Sequence, residues 1–144
     1  MKIKTILLAE DNKFDAELTQ KALSEFNLGN NLVTVGDGVE VLDYLRCEGK
    51  YKDREAGNPA VILLDIKMPR LDGIETLQTI RTDPKFKMIP VVILSSSREE
   101  QDLIRSYSLG VNGYVVKPVD FKQFVEAVRT LGVFWVLINE QPPC

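Results

Sequence analysis

Short apolar runs that stop abruptly at a charged or hydroxyl-bearing residue recur along the chain. Ile6-Leu7-Leu8-Ala9 stops at Glu10-Asp11, Val61-Ile62-Leu63-Leu64 at Asp65, Val91-Val92-Ile93-Leu94 at Ser95, and Tyr114-Val115-Val116 at Lys117-Pro118. Runs of this length, rich in Val and Ile and separated by helical patterns, predict strands of a parallel sheet buried on both faces. Phe14, Leu18, Ala22 and Phe26 fall at successive i, i+4 positions and predict a first helix with one inward stripe, stopped at Gly29. Later helices are marked by Val39, Leu42 and Leu45, by Ile74, Leu77 and Ile80, by Leu103, Ile104 and Tyr107, and by Phe124, Val125, Val128 and Leu131. Strands are expected over Thr5 to Ala9, Leu32 to Val35 and Ala60 to Leu64, with Pro90 ahead of the fourth and Gly113 opening the fifth. Asp120 and Gln123 have the spacing of a capping box at the start of helix five, whereas Asp72-Gly73 reads as a turn. The polar stretch from Glu48 to Asn58 is expected as an exposed loop, longer than most connections.

Strand and helix thus alternate five times, which predicts one α/β domain with helices on both faces of a parallel sheet. A chain of 144 residues is long enough for one good core and too short for two. The domain is expected to span 1–144, with a core over 4–131 and a remainder, 132–144, that extends helix five into a tail. The apolar run from Val133 to Ile138 either packs back on the domain or forms a partner or dimer surface.

Composition removes several function classes. A net charge of -3 without a basic stripe argues against nucleic-acid binding, and no apolar run approaches the roughly 20 residues of a membrane helix. The first residues read as a strand, not a signal peptide, and Cys47 with Cys144 makes no disulfide framework, so a cytoplasmic protein is expected. The chain has no histidine, which excludes histidine acid-base or metal chemistry and a histidine phosphodonor of its own.

In open parallel sheets the ligand site lies outside the carboxyl ends of the strands. The four stops therefore converge: Glu10, Asp11 and Asp65 supply carboxylates, Ser95 a hydroxyl and Lys117 an amine. Three acids alone would repel, since two unit charges about 4 Å apart interact by roughly 4 kcal/mol at an effective dielectric of 20. A divalent cation relieves that repulsion, and the lysine and hydroxyl suit a phosphoryl group. Each residue alone has a plainer reading: a solvated strand end, an N-cap, an exposed lysine, or for Tyr114 a core filler. Coincidence at four strand ends is what those plainer readings cannot accommodate.

Glu10-Asp11, Asp65 with Met68-Pro69 and Asp72-Gly73, Ser95, and Tyr114 before Lys117-Pro118 together resemble a receiver domain of a two-component response regulator, over about Lys4 to Leu131. The long loop after helix two and the Trp135-containing tail are similar to the small regulators paired with bacterial and cyanobacterial phytochromes. The resemblance implies a flavodoxin-like (βα)5 fold with strand order 2-1-3-4-5 and a phosphoacceptor at Asp65. It also implies Mg²⁺ held by Asp11, Asp65 and the Lys67 carbonyl, with Glu10 acting through water. Lys117 and Ser95 then bind the phosphoryl group, Tyr114 turns inward as Ser95 moves, and the Lys117-Pro118 bond is cis, as X-Pro bonds most readily are. Lys67 and Ser97 occupy positions that tune loss of the phosphoryl group. The implied partners are a sensor histidine kinase of the light-sensing, phytochrome type, a downstream protein and a second copy of the chain. The implied protein is a signalling switch, not an enzyme beyond its own phosphotransfer and dephosphorylation. Two other readings are an unphosphorylated scaffold and a small phosphatase-type hydrolase. The hydrolase is disfavoured because Lys67 stands where a haloacid-dehalogenase phosphatase needs a second Asp, and no Gly-rich loop follows the first strand.

Overall fold

The structure, a computed structural model, describes residues 5–25 and 31–129. The elements run β1 Ile6–Ala9, α1 Lys13–Ser24, β2 Leu32–Val35, α2 Gly38–Arg46, β3 Val61–Asp65, α3 Gly73–Thr82, β4 Val91–Ser95, α4 Arg98–Ser106, β5 Gly113–Val116 and α5 Phe121–Arg129. All pairings are parallel, in the order β2-β1-β3-β4-β5. Gly29, Phe26, Leu131 and the 133–138 run lie outside the described residues.

The strands carry apolar residues on both faces because both faces are covered. Leu7, Ala9, Ile62, Leu64 and Ile93 join residues of α2, α3 and α4 in one core. Ile6, Leu8, Leu63, Val92 and Leu94 join Leu23 of α1 and Phe124 of α5 in the other. The two cores are the reason β1, β3 and β4 show no alternation of apolar and polar residues.

Two helical stripes differ from expectation. On α1 the buried residues are Thr19, Ala22 and Leu23, while Phe14 is 67% exposed. Each i to i+4 step rotates a side chain by about 40° around the helix, so a line of such steps drifts off the sheet-facing side. On α4 Ile104 is fully buried, and Leu103 and the capping Tyr107 stand nearly half exposed. At the start of α5, Asp120 accepts from the Gln123 amide at 2.8 Å, but Gln123 does not close the reciprocal box. Its side-chain oxygen instead accepts from the Val116 amide at 3.0 Å, serving the open edge of the sheet. A complete capping box forms at Asp72 and Glu75, so the expected turn is the start of α3.

The stretch after α2 is better anchored than its polarity suggested. Gly49–Tyr51 forms a single 3-10 turn, and the Arg54 guanidinium lies 4.0 Å from the Tyr44 ring centre. Arg54 also donates to the carbonyls of Tyr44, Glu55 and Gly57 at 2.7, 2.6 and 3.1 Å.

Candidate functional site

The site is built where β1, β3, β4 and β5 end together. Asp65 is the last residue of β3, and Ser95 is the last residue of β4, one position beyond Leu94, which pairs with Asp65. Glu10 follows β1 directly, and its amide donates to the Val35 carbonyl at 3.0 Å, which continues the β1–β2 ladder into the site. Asn12 caps α1 by accepting from the Asp15 amide at 2.9 Å, leaving Asp11 exposed at the mouth.

Asp65 is held from behind. Its Oδ1 accepts from the Ile66 amide at 2.9 Å, and the Gly73 amide donates to the Ile66 carbonyl at 2.8 Å, which draws the start of α3 against the end of β3. Arg70 takes a positive φ of 63° and grips Asp37 through Nε at 2.7 Å and Nη2 at 3.1 Å. This fork ties the β3–α3 loop to the start of α2, which Asp37 caps.

Lys117 is the hub. Its Nζ lies 2.9 Å from Glu10 Oε1, 3.2 Å from Asp65 Oδ1 and 3.4 Å from Asp15 Oδ2. Glu10 and Asp65 are only 4% and 5% exposed, so two buried carboxylates share one half-buried ammonium. Burial would lower the Lys117 pKa, but those carboxylates outweigh it and hold the amine above its ordinary range. Asp65 is raised above its ordinary value, chiefly by burial, with Lys117 opposing.

Carboxylate oxygens of Glu10, Asp11 and Asp65 lie within 4.8 Å of one another. Glu10 Oε1 is buried and, despite its nearness to Lys117, accepts no well-directed hydrogen bond. Hard oxygen donors, a surplus of negative charge and an orphaned buried acceptor fit a hard divalent cation. Burial lifts the Glu10 carboxyl to about 7 against the pull of Lys117, and the Asp65 charge adds to the rise. The folded protein therefore binds a proton that the unfolded chain has lost, and metal-free stability should fall as pH rises from 4.5 to about 7. A cation must displace that proton, so Mg²⁺ affinity should climb by up to about tenfold per pH unit and level off above the Glu10 pKa. Calorimetric Mg²⁺ titrations across this range check it, with Glu10→Gln expected to flatten the slope.

Of the expected residues, the structure gathers Glu10, Asp11, Asp65 and Lys117, with Ser95 beside them. The Lys117–Pro118 peptide is cis. The exposed side chain of Lys67 pairs with Glu100, 3.5 Å off. Tyr114 is partly buried against the core, under the Arg105 guanidinium at 4.5 Å. Sequence reasoning missed Asp15, which stands in the first turn of α1. It also missed Gln101, whose Nε2 donates to Ser95 Oγ at 2.9 Å, and Glu100 beside it.

Fold and site together define a class: doubly wound domains that present an acidic cluster and a lysine paired to it at the carboxyl edge of the sheet. The chain belongs to the response regulator receiver domain family, whose profile matches residues 6–129. It is 38% identical over 133 residues to the response regulator Rcp1 of Synechocystis sp., covering 92% of this chain and 89% of Rcp1. Rcp1 has been solved in an Mn²⁺-bound form, with a TM-score of 0.72 at 37% identity over 98% of this chain and 99% of that one. The bacteriophytochrome response regulator RtBRR superposes with a TM-score of 0.88 at 55% identity, over 99% of this chain and 86% of that one. The phosphorylated cyanobacterial phytochrome response regulator RcpA gives 0.73 at 43% identity, over 94% and 95% of the two chains. This chain is a receiver-type response regulator related to the phytochrome regulators.

Proposed function

We propose that this protein is a cytoplasmic phosphoacceptor that takes a phosphoryl group onto Asp65 from the phosphohistidine of a sensor kinase, most fittingly one of phytochrome type. The observation that carries this reading is the nearly buried Asp65 carboxylate 3.2 Å from the Lys117 amine and beside two further acids. An Asp65 oxygen attacks phosphorus, the N–P bond of the phosphohistidine breaks, and the electron pair leaves with the imidazole. The product is an acyl phosphate.

Lys117 begins paired to Asp65 and Glu10, and a phosphoryl oxygen takes over the contact Asp65 gives up. Glu10 keeps the ammonium in place during that exchange. Ser95 donates its hydroxyl to a second phosphoryl oxygen. Asp11, Asp65, Glu10 and the Lys67 carbonyl are the residues that would hold Mg²⁺, which neutralises charge on the acceptor and the incoming group. Self-dephosphorylation returns the switch to rest, and Lys67, engaged with Glu100, does not cover the acceptor in the resting protein.

The output is a protein contact, with a downstream protein or a second copy. Leu103, Tyr107 and Val116 are 47%, 46% and 47% exposed on α4, its C-terminal end and β5, the side on which Tyr114 repacks when Ser95 moves. Among the described residues no helix is long and apolar enough to cross a membrane. Incubation with a radiolabelled phosphorylated kinase tests the reading. Mg²⁺-dependent transfer of label to this chain, absent in Asp65→Asn, supports it; retention of label on the kinase with wild-type protein opposes it.

A further inference from the structure

The corner between β4 and α4 is tied to the helix one serine at a time. Ser96 donates its amide and hydroxyl to Glu100 Oε1 at 2.8 and 3.1 Å, and Ser97 Oγ accepts from the Glu100 amide at 3.3 Å. These two fix the backbone of the first turn. Ser95 is different, because its hydroxyl belongs to the site, and it accepts from Gln101 Nε2 at 2.9 Å. Ser95 is fully buried and Gln101 partly so, which shields this bond from water. No strand lies between the site and α4 at this point: one side chain of the helix touches the switch hydroxyl itself.

A phosphoryl group on Asp65 offers an anionic acceptor at the end of the neighbouring strand. To donate to that anion, a bond roughly twice as strong as a neutral one, the Ser95 side chain must turn from α4 towards β3, which carries its oxygen out of reach of Gln101 Nε2. We propose that Gln101 is a positioning residue that holds the Ser95 hydroxyl towards α4 in the resting protein. Recruiting Ser95 to the phosphoryl group breaks that bond and frees the Gln101 side chain, while the Ser96 and Ser97 contacts keep the first turn of α4 in place. This inference rests on the reading of Asp65 as phosphoacceptor. It makes Gln101 a brake on the switch: its bond exists in the resting state alone, so losing it lowers the cost of activation.

The test is calorimetric titration of the full chain with beryllium fluoride in the presence of Mg²⁺, as a phosphoryl mimic. Gln101→Met keeps the length of the side chain and removes the donor; Gln101→Ala is the second variant. Both are expected to bind the mimic about 2- to 10-fold more tightly, the range of one neutral hydrogen bond. Ser95→Ala should weaken binding and make Gln101→Met silent when the two are combined. Unchanged or weaker binding by Gln101→Met, or equal tightening on a Ser95→Ala background, overturns the proposal. A wild-type protein that does not bind the mimic overturns the Asp65 reading instead, which separates the two failures.

Discussion

Lys117→Met should destabilise the metal-free protein by about 3–5 kcal/mol at mildly alkaline pH and slow phosphoryl capture by about 100-fold or more. The stability loss follows from what stays behind. Glu10 and Asp65 side chains are 1% and 7% exposed, and Lys117 is the one cation in contact with both among the described residues. Removing one partner of a buried ion pair costs this much because the remaining charge is left without solvent or counter-charge. The catalytic loss is of the size seen when a preorganised donor to a developing anion is deleted. Burial already raises the pKa of both carboxyls, with Glu10 reaching about 7, and losing Lys117 raises them further. Protonation relieves the repulsion, so the penalty should be largest above about pH 7 and shrink towards pH 5. Denaturant titrations at the two pH values, and rates of phosphoryl incorporation from acetyl phosphate, check both halves. Added Mg²⁺ should restore part of the lost stability, since the cation replaces the missing positive charge.

The second large effect is expected at Gly73, a residue with no side chain of its own. A Cβ there would lie 2.4 Å from the Asp65 carbonyl oxygen and 2.7 Å from the Ile66 Cα. Both are backbone atoms of the segment that presents the acceptor, so neither can swing aside as a side-chain tip would. Gly73→Ala should therefore cost about 1–3 kcal/mol or more, as overpacking does, and lower the melting temperature by on the order of 5–10 °C. Because the displaced atoms carry Asp65, phosphorylation should slow in the fraction that remains folded. Gly36→Ala is the matched control: its nearest neighbour would be the Glu40 carboxylate at 3.5 Å, an ordinary contact, and near-wild-type melting is expected.

The sheet and the acid cluster were legible in the sequence because both depend on short-range signals. A strand buried on two faces must be apolar throughout, so β1, β3 and β4 announce themselves, and the residue at which the run stops marks the carboxyl edge. Four such stops suffice to place Glu10, Asp65, Ser95 and Lys117 in one crevice. Side-chain direction was not legible to the same degree. Phe14 and Leu103 stand at helical spacing from other apolar residues, yet the helices present Thr19 and Ile104 to the core in their place. Asp15 and Gln101 act across the fold, on Lys117 102 residues away and on Ser95 across the β4–α4 corner. No periodicity marks a polar residue whose partner is chosen by tertiary packing. Arg54 shows the same thing in the loop after α2. Its charge reads as solvent-facing, but its guanidinium lies on the Tyr44 ring and donates to three backbone carbonyls.

The central claim is that Asp65 carries the phosphoryl group, and intact-mass spectrometry tests it most directly. Wild-type protein and Asp65→Asn are incubated with acetyl phosphate, with Mg²⁺ and with a chelator in its place. The account predicts a mass gain of one phosphoryl group in the wild type alone, only with Mg²⁺, that is lost on treatment with hydroxylamine as an acyl phosphate is. The same gain in Asp65→Asn, or none in folded wild-type protein with Mg²⁺ present, would contradict it.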